Sequence, residues 1–484
     1  MKIKDILVNC NLLELIGDKD IDVVKVTFDS RQVEQGTLFF AVRGTQTDGH
    51  DYIDKAVEQG AVAIVCETMP STLKPNVTYV RVDNSAYVLG VGAANFYGNP
   101  SRSLKLTGVT GTNGKTTIAT LLYRLFTDAG YACGLLSTIE NIIDHEVVPS
   151  THTTPDPVEL NALLRRMVDR GCEYAFMEVS SHAIDQHRIA GLQFAGGIFT
   201  NLTHDHLDYH KTMANYRNAK KKFFDDLPAE AFALTNYDDK NGAVMLQNTK
   251  AKRLGYALKH DADFKGVVLE SHFDGMLMKV NGIEMNTLLV GGFNASNILA
   301  IYGAAISLGF DKEELLVEIS KLHGANGRFD MVHSETGIVG IVDYAHTPDA
   351  LENVLKTINE VRKSGQVLIT VAGCGGNRDA TKRPEMAAVA VKLSDRVILT
   401  SDNPRNEDPE EIIRQMKAGI EATDMGKVLS ITDRREAIRT AVALAKKGDI
   451  ILLAGKGHED YQIIKGEKRH FDDKEELSKA LKEK

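Results

Sequence analysis

Residues Leu104–Gly130 read "LKLTGVTGTNGKTTIATLLYRLFTDAG", and this stretch decides the fold. A short apolar run feeds a Gly-rich turn, "GVTGTNGKTT" at 108–117. Beyond it, Ile118, Leu121, Leu122, Leu125 and Phe126 fall at i, i+3, i+4, i+7 and i+8, which is one apolar helix face. Strand, Gly-rich loop and helix in this order make a phosphate cradle. Backbone N–H groups around Gly111, Thr112, Asn113 and Gly114 can face an anion, Lys115 can reach the outer phosphates, and Thr116 can hold Mg²⁺, with Thr117 beside it. The loop departs from the common GxxxxGK[ST] spacing, because Gly108 comes one residue early and Gly111 sits inside it. A glycine-rich connection that merely packs helix on sheet is the plainer reading. It loses because strand, loop, Lys-Thr pair and amphipathic helix all agree.

Outward from this point the chain repeats one rhythm. "YAFMEVS" and "AGGIFTNL" read as strands after it, and "VVKVTFDSR", "GTLFFAV" and "VAIVCE" before it. Later come "GIVGIVDYA", "QVLITVAG", "DRVILTSD" and "DIILLAGKG", each ending in a polar, often Gly-rich loop. Helical segments fall between them, so an α/β fold with parallel sheets is expected. A length of 484 residues is too great for one hydrophobic core and predicts about three domains. The Gly-rich "HGANGRFD" at 323–330 marks one boundary. The expected division is 1–86, 87–328 and 329–484, with the phosphate loop in the central domain. In such sheets ligands bind beyond the carboxyl ends of the strands.

Composition narrows the class. A formal charge of −9 argues against broad nucleic-acid or anionic-membrane binding but allows a local basic pocket. The five cysteines are scattered, with no CxxC pair, which predicts free thiols in a reduced, cytoplasmic compartment. The start carries acids where a signal peptide needs an apolar run, and no uninterrupted apolar run is long enough to span a bilayer.

Several other segments carry chemistry. Glu178 closes the apolar strand "YAFMEVS", where an acid needs a cation, and Mg²⁺ suits a phosphate-loop protein. A strand-end helix cap is the simpler alternative. Ser180, Gln186 and Arg188 follow in a polar cluster that could bind an anionic substrate. In "TNLTHDHLDYH", His204, His206 and Asp208 spell HxHxD, close to the signature of binuclear metal hydrolases. Tyr209 stands where that signature needs its next histidine. "NYRNAKKKFF" at 215–224 reads, on composition alone, as a solvated charged helix face.

In this order "GVTGTNGKTT", "EVSSH", "TNLTHDHLDYH", "YRNAK" and "DYAHTPDAL" resemble the Mur ligase family, ATP-dependent amide ligases that build the peptidoglycan peptide. The likeness runs from "DSR" at 29–31 to "AGKGHEDYQ" at 454–462, and the early-glycine loop is this family's own form. It implies three domains: one for a UDP-linked substrate, a central P-loop ATPase-type α/β domain and a C-terminal Rossmann-like domain for the amino acid. It implies an acyl-phosphate route to the amide bond, with ATP and two Mg²⁺ ions. Residue by residue, it puts Lys115 on the phosphates, Thr116 and Glu178 on Mg²⁺, and His206 with Glu178 at a second Mg²⁺. Lys220 of "YRNAK" matches the lysine that the family carbamylates to N6-carboxylysine, which overrules the charged-face reading for that residue alone. Asn236, Asp239, Asn294, Asn297, Arg328, Asp343 and His346 match nucleotide-side residues. Ser30, Thr153, Thr154, Ser180, Gln186 and Arg188 match contacts to a UDP-N-acetylmuramoyl dipeptide. His152 departs from the usual Asn before the paired threonines and is given no role.

The loop "TSDNPRNEDPEE" at 400–411 resembles the branch that adds meso-diaminopimelate as third residue. Arg378, Asp402, Asn403, Arg405, Gly455 and Glu459 then form the amino-acid site. Diaminopimelate bears a carboxylate and an ammonium on its distal carbon, where lysine has only the ammonium. The Arg405 fork suits the carboxylate and would repel a bare lysine ammonium. The acids suit the ammonium. A surface ion pair of Arg405 with Glu407 or Asp408 is the competing reading, and Asp408 with Pro409 should start a helix. The resemblance thus implies a ligase in cell-wall precursor synthesis, working as a monomer on small molecules. Use of lysine or another diamino acid, a nucleotide-binding switch module, and a binuclear hydrolase are the alternatives.

Overall fold

A computed structural model describes residues 1–44, 47–150 and 152–484. Three open sheets follow one another along the chain. The first has strand order Leu12–Ile16, Thr78–Val82, Ala61–Cys66, Thr37–Phe40, Lys25–Thr27, parallel except for its first member. Helix Ser85–Phe96 lays Val88 and Leu89 into the same core as Ile3, Leu38, Phe40 and Val65. A division after residue 86 would cut this helix from its own core, so packing draws the boundary beyond it.

In the second sheet the strand Lys105–Thr110 lies between Tyr174–Glu178 and Gly196–Phe199, parallel to both. Parallel pairing continues through Phe232–Asn236 and Lys252–Ala257. Helix Lys115–Asp128 buries Ile118, Leu121, Leu122, Leu125 and Phe126 in a core shared with helix Gly292–Leu308. Opposite it, Leu160 and Leu164 of helix Pro157–Asp169 pack with Phe223 and Phe224 of helix Met213–Asp225.

The sheet is not purely parallel, as its rhythm had suggested. Hairpins extend it at both ends, through Glu140–Ile143 and Glu146–Pro149 on one side and Gly275–Val280 and Ile283–Thr287 on the other. The reason is visible in Gly275–Val280, where Met276, Met278 and Val280 are buried and alternate with partly exposed residues. One wet face is what an antiparallel edge tolerates and a central parallel strand does not.

The third sheet runs Asp330–His333, Val339–Asp343, Ile450–Ala454, Leu368–Cys374, Arg396–Ser401, Val428–Ser430. All neighbours are parallel except the first pair. Its central strands are buried on both faces, between a core with Leu355, Met386 and Ile412 and another with Ile438, Val442 and Leu477. Their carboxyl ends deliver Tyr344, Gly375, Asp402 and Gly455 to one edge. The helix expected from Asp408 and Pro409 is Pro409–Lys417, with Asp408 Oδ1 accepting the Glu410 N–H at 3.0 Å. All five cysteines are free thiols. Among the described residues no helix is long and apolar enough to cross a membrane.

Candidate active site

Two cavities meet where the second and third sheets face each other. One, of about 720 Å³, is walled by the loop Thr112–Thr117 and by Glu178, Asn236, Asn297, Arg328 and Asp343. The other, of about 950 Å³, is walled by Arg378, Asp402, Asn403, Arg405, Gly455 and Glu459. Thr138, Thr153, Asp205, His206, Tyr344 and His346 line both. A group bound in one cavity is therefore presented to the other across that shared wall.

The Gly-rich loop is built to be tight. Gly111 has φ +148°, and a Cβ there would stand 1.8 Å from Thr200 Oγ1. That hydroxyl donates to the Asn113 carbonyl at 2.6 Å and so clamps the turn. Lys115 Nζ donates to the carbonyls of Gly111 and Thr112, at 3.0 and 2.8 Å. Lys220, 1 % exposed, donates to the same Gly111 carbonyl at 2.9 Å. Its ammonium lies 4.7 Å over the Tyr216 ring, whose hydroxyl meets Thr112 Oγ1 at 3.2 Å. Burial, and then the neighbouring Lys115, holds Lys220 well below the ordinary lysine range, and Asp205 opposes only part of this. Burial also lowers Lys115, against the pull of Glu178 and Asp205. Of its neighbours on the helix, Lys222 is exposed as a charged surface run would have it, whereas Lys221 is largely covered and pairs with Asp225 at 2.6 Å.

Glu178 is buried and is not a helix cap; Ser180 fills that role, accepting the Ala183 N–H at 3.2 Å. Thr116 Oγ1 and the Thr138 N–H both donate to Glu178 Oε1, at 2.9 and 2.7 Å. Arg328 Nη2 donates to Thr116 Oγ1 at 3.1 Å and stacks on Tyr344. His206 has a left-handed backbone, φ 54°, and a side chain still 42 % exposed to the cavity; crowding by the surrounding protein, with Lys115, His182 and Lys220 nearby, lowers its imidazole while Asp205 opposes. Burial alone would raise Asp205, but His206, His346 and Lys115 together hold it low. Burial lifts Asp343 to about 6 although its Oδ2 accepts the Phe329 N–H at 2.7 Å. His346 Nδ1 meets the Tyr344 carbonyl at 2.8 Å.

Some expected contacts lie elsewhere. Asp239 does not line the first cavity. Its Oδ2 accepts the Leu202 N–H at 2.9 Å and braces that loop, while Asp238 takes the place on the wall. Asn294 folds back onto the Val290 carbonyl at 2.9 Å and orients Asn297, which does line the cavity. Thr154, Gln186 and Arg188 form a brace behind Ser180. Thr154 Oγ1 donates to the Glu178 carbonyl at 2.9 Å, and Arg188 spans the Thr154 carbonyl and Gln186 Oε1 at 2.8 and 2.7 Å. Thr153 Oγ1 accepts from Thr138 Oγ1 at 3.0 Å on the shared wall. Ser30 heads a one-turn 3₁₀ helix in the first unit and lines neither cavity. Among the described residues no three His, Cys, Asp or Glu side chains gather as a metal group, so HxHxD does not assemble a binuclear hydrolase centre.

In the second cavity Arg405 also has a left-handed backbone, φ 53°. A hairpin, Tyr461–Ile464 with Glu467–His470, holds it: the Arg405 N–H donates to the Ile463 carbonyl at 2.9 Å and its carbonyl accepts the Lys465 N–H at 2.6 Å. Arg405 Nη1 donates to the Gly376 carbonyl at 2.8 Å. Glu407 is not its partner but pairs with buried Arg383 at 2.8 Å, and Asp408 is the helix cap. Asn403 is less available than expected, because its amide donates to Glu459 at 2.7 Å and its oxygen accepts the Ile463 N–H at 2.9 Å. Burial and Asp402 raise Glu459, with Lys456 opposing them from 3.4 Å. Gly455 must be glycine, since at φ +117° a Cβ would stand 2.8 Å from Asp402 Oδ2. Asp205, Tyr216, Asp238, Lys456 and His458 were not singled out from sequence. Asp205 alone had a signal there, its position inside the His-Asp run.

Family models match three consecutive stretches: "Mur ligase family, catalytic domain" over 22–97, "Mur ligase middle domain" over 109–305 and "Mur ligase, glutamate ligase domain" over 327–457. A Bacteroides fragilis protein named UDP-N-acetylmuramoyl-L-alanyl-D-glutamate--2,6-diaminopimelate ligase is 60 % identical over 481 residues, 99 % of each chain. The chain belongs to the Mur ligase family. A Clostridium tetani protein of the same name is 40 % identical over 491 residues, covering 100 % of both chains. A solved structure of a ligase so named superposes with TM-score 0.71 at 33 % identity, over 100 % of this chain and 99 % of that one. A Thermotoga maritima MurF ligase solved with ADP shares the fold at TM-score 0.63 and 20 % identity, over 96 % of this chain and 100 % of that one.

A buried amine with one neutral acceptor and a cationic neighbour burdens the fold. Lys220→Met, measured in CO₂-free buffer, should therefore raise the unfolding free energy by about 1 kcal/mol or leave it unchanged. A loss of more than about 1 kcal/mol in urea unfolding would show that the amine is well satisfied where it lies.

Proposed function

We propose that this chain is a MurE-type ligase that adds meso-diaminopimelate to UDP-N-acetylmuramoyl-L-alanyl-D-glutamate at the expense of ATP. The joined pair of cavities carries the reading. One is walled by a phosphate loop and the other by Arg378 and Arg405 with Asp402 and Glu459 among its carboxylates, and Asp205 and His206 stand on their common wall. The first cavity takes ATP. The Thr112–Thr117 backbone and Lys115 hold its phosphates, Arg328 and Asn297 stand beside them, and Asn236, Asp343 and His346 complete the wall. The dipeptide's glutamyl carboxylate attacks the γ-phosphorus, and the bond to the β-phosphate oxygen breaks. ADP leaves and an acyl phosphate remains.

The diaminopimelate amine, having lost its proton, attacks the acyl carbon. The carbon–oxygen bond to phosphate breaks, giving the amide and inorganic phosphate. Carboxylate and triphosphate repel each other, so alignment and neutralisation of charge are the main tasks of this site. The Thr116 hydroxyl and the buried Glu178 carboxylate are hard oxygen donors on the cavity wall, which fits Mg²⁺, an ion that keeps several waters and needs few protein ligands. Two such ions would be held, one by Thr116 and Glu178 and a second by Glu178 with His206, and a carbamate on Lys220 would add negative charge for them. When bound, Mg²⁺ supplies positive charge against the phosphate oxygens. Carbamate formation needs the neutral amine, which the burial of Lys220 favours; the amine adds to CO₂ and releases one proton.

In the second cavity Arg405 makes no ion pair among the described residues and uses Nη1 on a carbonyl, leaving the rest of its fork for the distal carboxylate of diaminopimelate. Arg378 stands on the same wall, and Asp402 and Glu459 supply acceptors for the distal ammonium. Such substrates and ATP fit a cytoplasmic reaction.

Phosphate release with ATP and the UDP-linked dipeptide, tested with each amino acid in turn, decides the substrate. Turnover should be fast with meso-diaminopimelate and at least about 100-fold less efficient with lysine, the discrimination expected of a charge-paired contact. Equal rates would leave only the ligase class standing, and no turnover with any amino acid would return the chain to a nucleotide switch. Arg405→Lys should raise KM for diaminopimelate about tenfold or more without changing KM for ATP. A change in ATP binding instead would move Arg405 out of the amino-acid site.

A further inference from the structure

Arg434 and Asp473 are both fully buried and form an ion pair, yet neither lines a cavity. Arg434 Nε meets Asp473 Oδ1 at 2.7 Å and Nη2 meets Oδ2 at 2.6 Å, a bidentate pair. The rest of the guanidinium crosses two strand ends. Nη1 donates to the Ser401 carbonyl at 3.3 Å and Nη2 to the Ala454 carbonyl at 3.1 Å. Those are the residues immediately before Asp402 and Gly455, and the two loops lie so close that a Cβ added at Gly455 would stand 2.8 Å from Asp402 Oδ2. The guanidinium also feels the carboxylates of Asp402 and Glu459.

Local forces do not put an arginine there. Arg434 is the first residue of helix Arg434–Leu444, where the helix dipole disfavours a cation. Asp473 opens helix Asp473–Lys482, where the dipole favours an anion. Packing alone would be served as well by two apolar side chains, because a buried ion pair gains little net stability. A planar fork that reaches one carboxylate and two carbonyls at once is what an apolar pair cannot supply.

We infer that the Arg434–Asp473 pair is a positioning element for amino-acid recognition, fixing the Asp402 and Gly455 loops against each other so that Asp402 and Glu459 converge on the distal ammonium of the substrate. This rests on the reading of the second cavity given above. The pair touches no substrate itself. It joins the last helix of the chain to two strand ends, which makes that helix part of the substrate reader.

The test compares the unmodified enzyme with Arg434→Lys and with the double substitution Arg434→Met/Asp473→Leu. Turnover of diaminopimelate by the unmodified enzyme is checked first, so that failure of the substrate assignment is seen separately. Lysine keeps the charge but cannot span both carbonyls, and the double substitution removes both charges without leaving one orphaned. Either folded variant should raise KM for diaminopimelate about tenfold, the loss expected of one charge-assisted contact, with KM for ATP within about twofold. A native KM for diaminopimelate, or equal rises in both constants, overturns the inference. Hydrogen exchange on the unmodified enzyme decides the matter if neither variant folds. Saturating diaminopimelate should slow exchange at the first turns of helices Arg434–Leu444 and Asp473–Lys482, and no change there overturns it.

Discussion

Two lysines on one carbonyl oxygen set the terms for the catalytic half of this protein. Lys115 and Lys220 both donate to Gly111, at 3.0 and 2.9 Å, inside a buried pocket. Sharing that acceptor keeps the two nitrogens within the sum of the two bonds, and two unit charges no farther apart than that repel by at least roughly 3 kcal/mol at an effective dielectric of ~20, with desolvation adding to it. One amine must give way, and the surroundings choose which. Lys115 has Glu178 as well as Asp205 to support its charge, whereas Lys220 has Asp205 alone, with Tyr216 beneath it. The asymmetry favours the charged form at Lys115 on the cavity wall and the neutral amine at Lys220 behind it. It also explains why the turn must carry glycine at 111, since only a close approach of the loop to Thr200 brings that carbonyl within reach of both helices.

The amino-acid half depends on a different constraint. Asp402 and Glu459 are neighbouring acids in a largely buried wall, and burial and then Asp402 disfavour the ionisation of Glu459. Lys456 and Arg434 offset this from beneath, and the Asn403 amide fixes Glu459 in place. The result is a preset seat for a positive group next to Arg405, which is set for a negative one. On the proposed reading of this cavity, selectivity for a zwitterionic carbon follows from that juxtaposition, and residues that do not meet the substrate contribute to it.

The phosphate loop, the helix behind it and the buried strands could be read from sequence because each is governed by local rules. Apolar spacing fixed helix Lys115–Asp128, and continuous apolar runs fixed the parallel strands. The hairpins at 140–149 and 264–287 were less legible, since short alternating segments resemble surface loops. The exposed edge strand Leu12–Ile16 was missed for the same reason. The candidate site divided along similar lines. Lys220 is indistinguishable from Lys221 and Lys222 by composition; only the angular position on helix Met213–Asp225 turns it inward. Asp239 and Asn294 misled because acids and amides beside a cavity serve equally well as loop braces. Arg434 and Asp473 could not be paired at all, because residues 39 positions apart leave no periodic trace.

The account stands or falls on the chemical state of Lys220. The direct measurement is a ¹³C NMR spectrum of the enzyme equilibrated with ¹³C-bicarbonate at neutral to mildly alkaline pH. The account predicts a slowly exchanging carbamate resonance in the unmodified enzyme that is absent from Lys220→Ala. A spectrum without that resonance, or one that Lys220→Ala leaves unchanged, would contradict it.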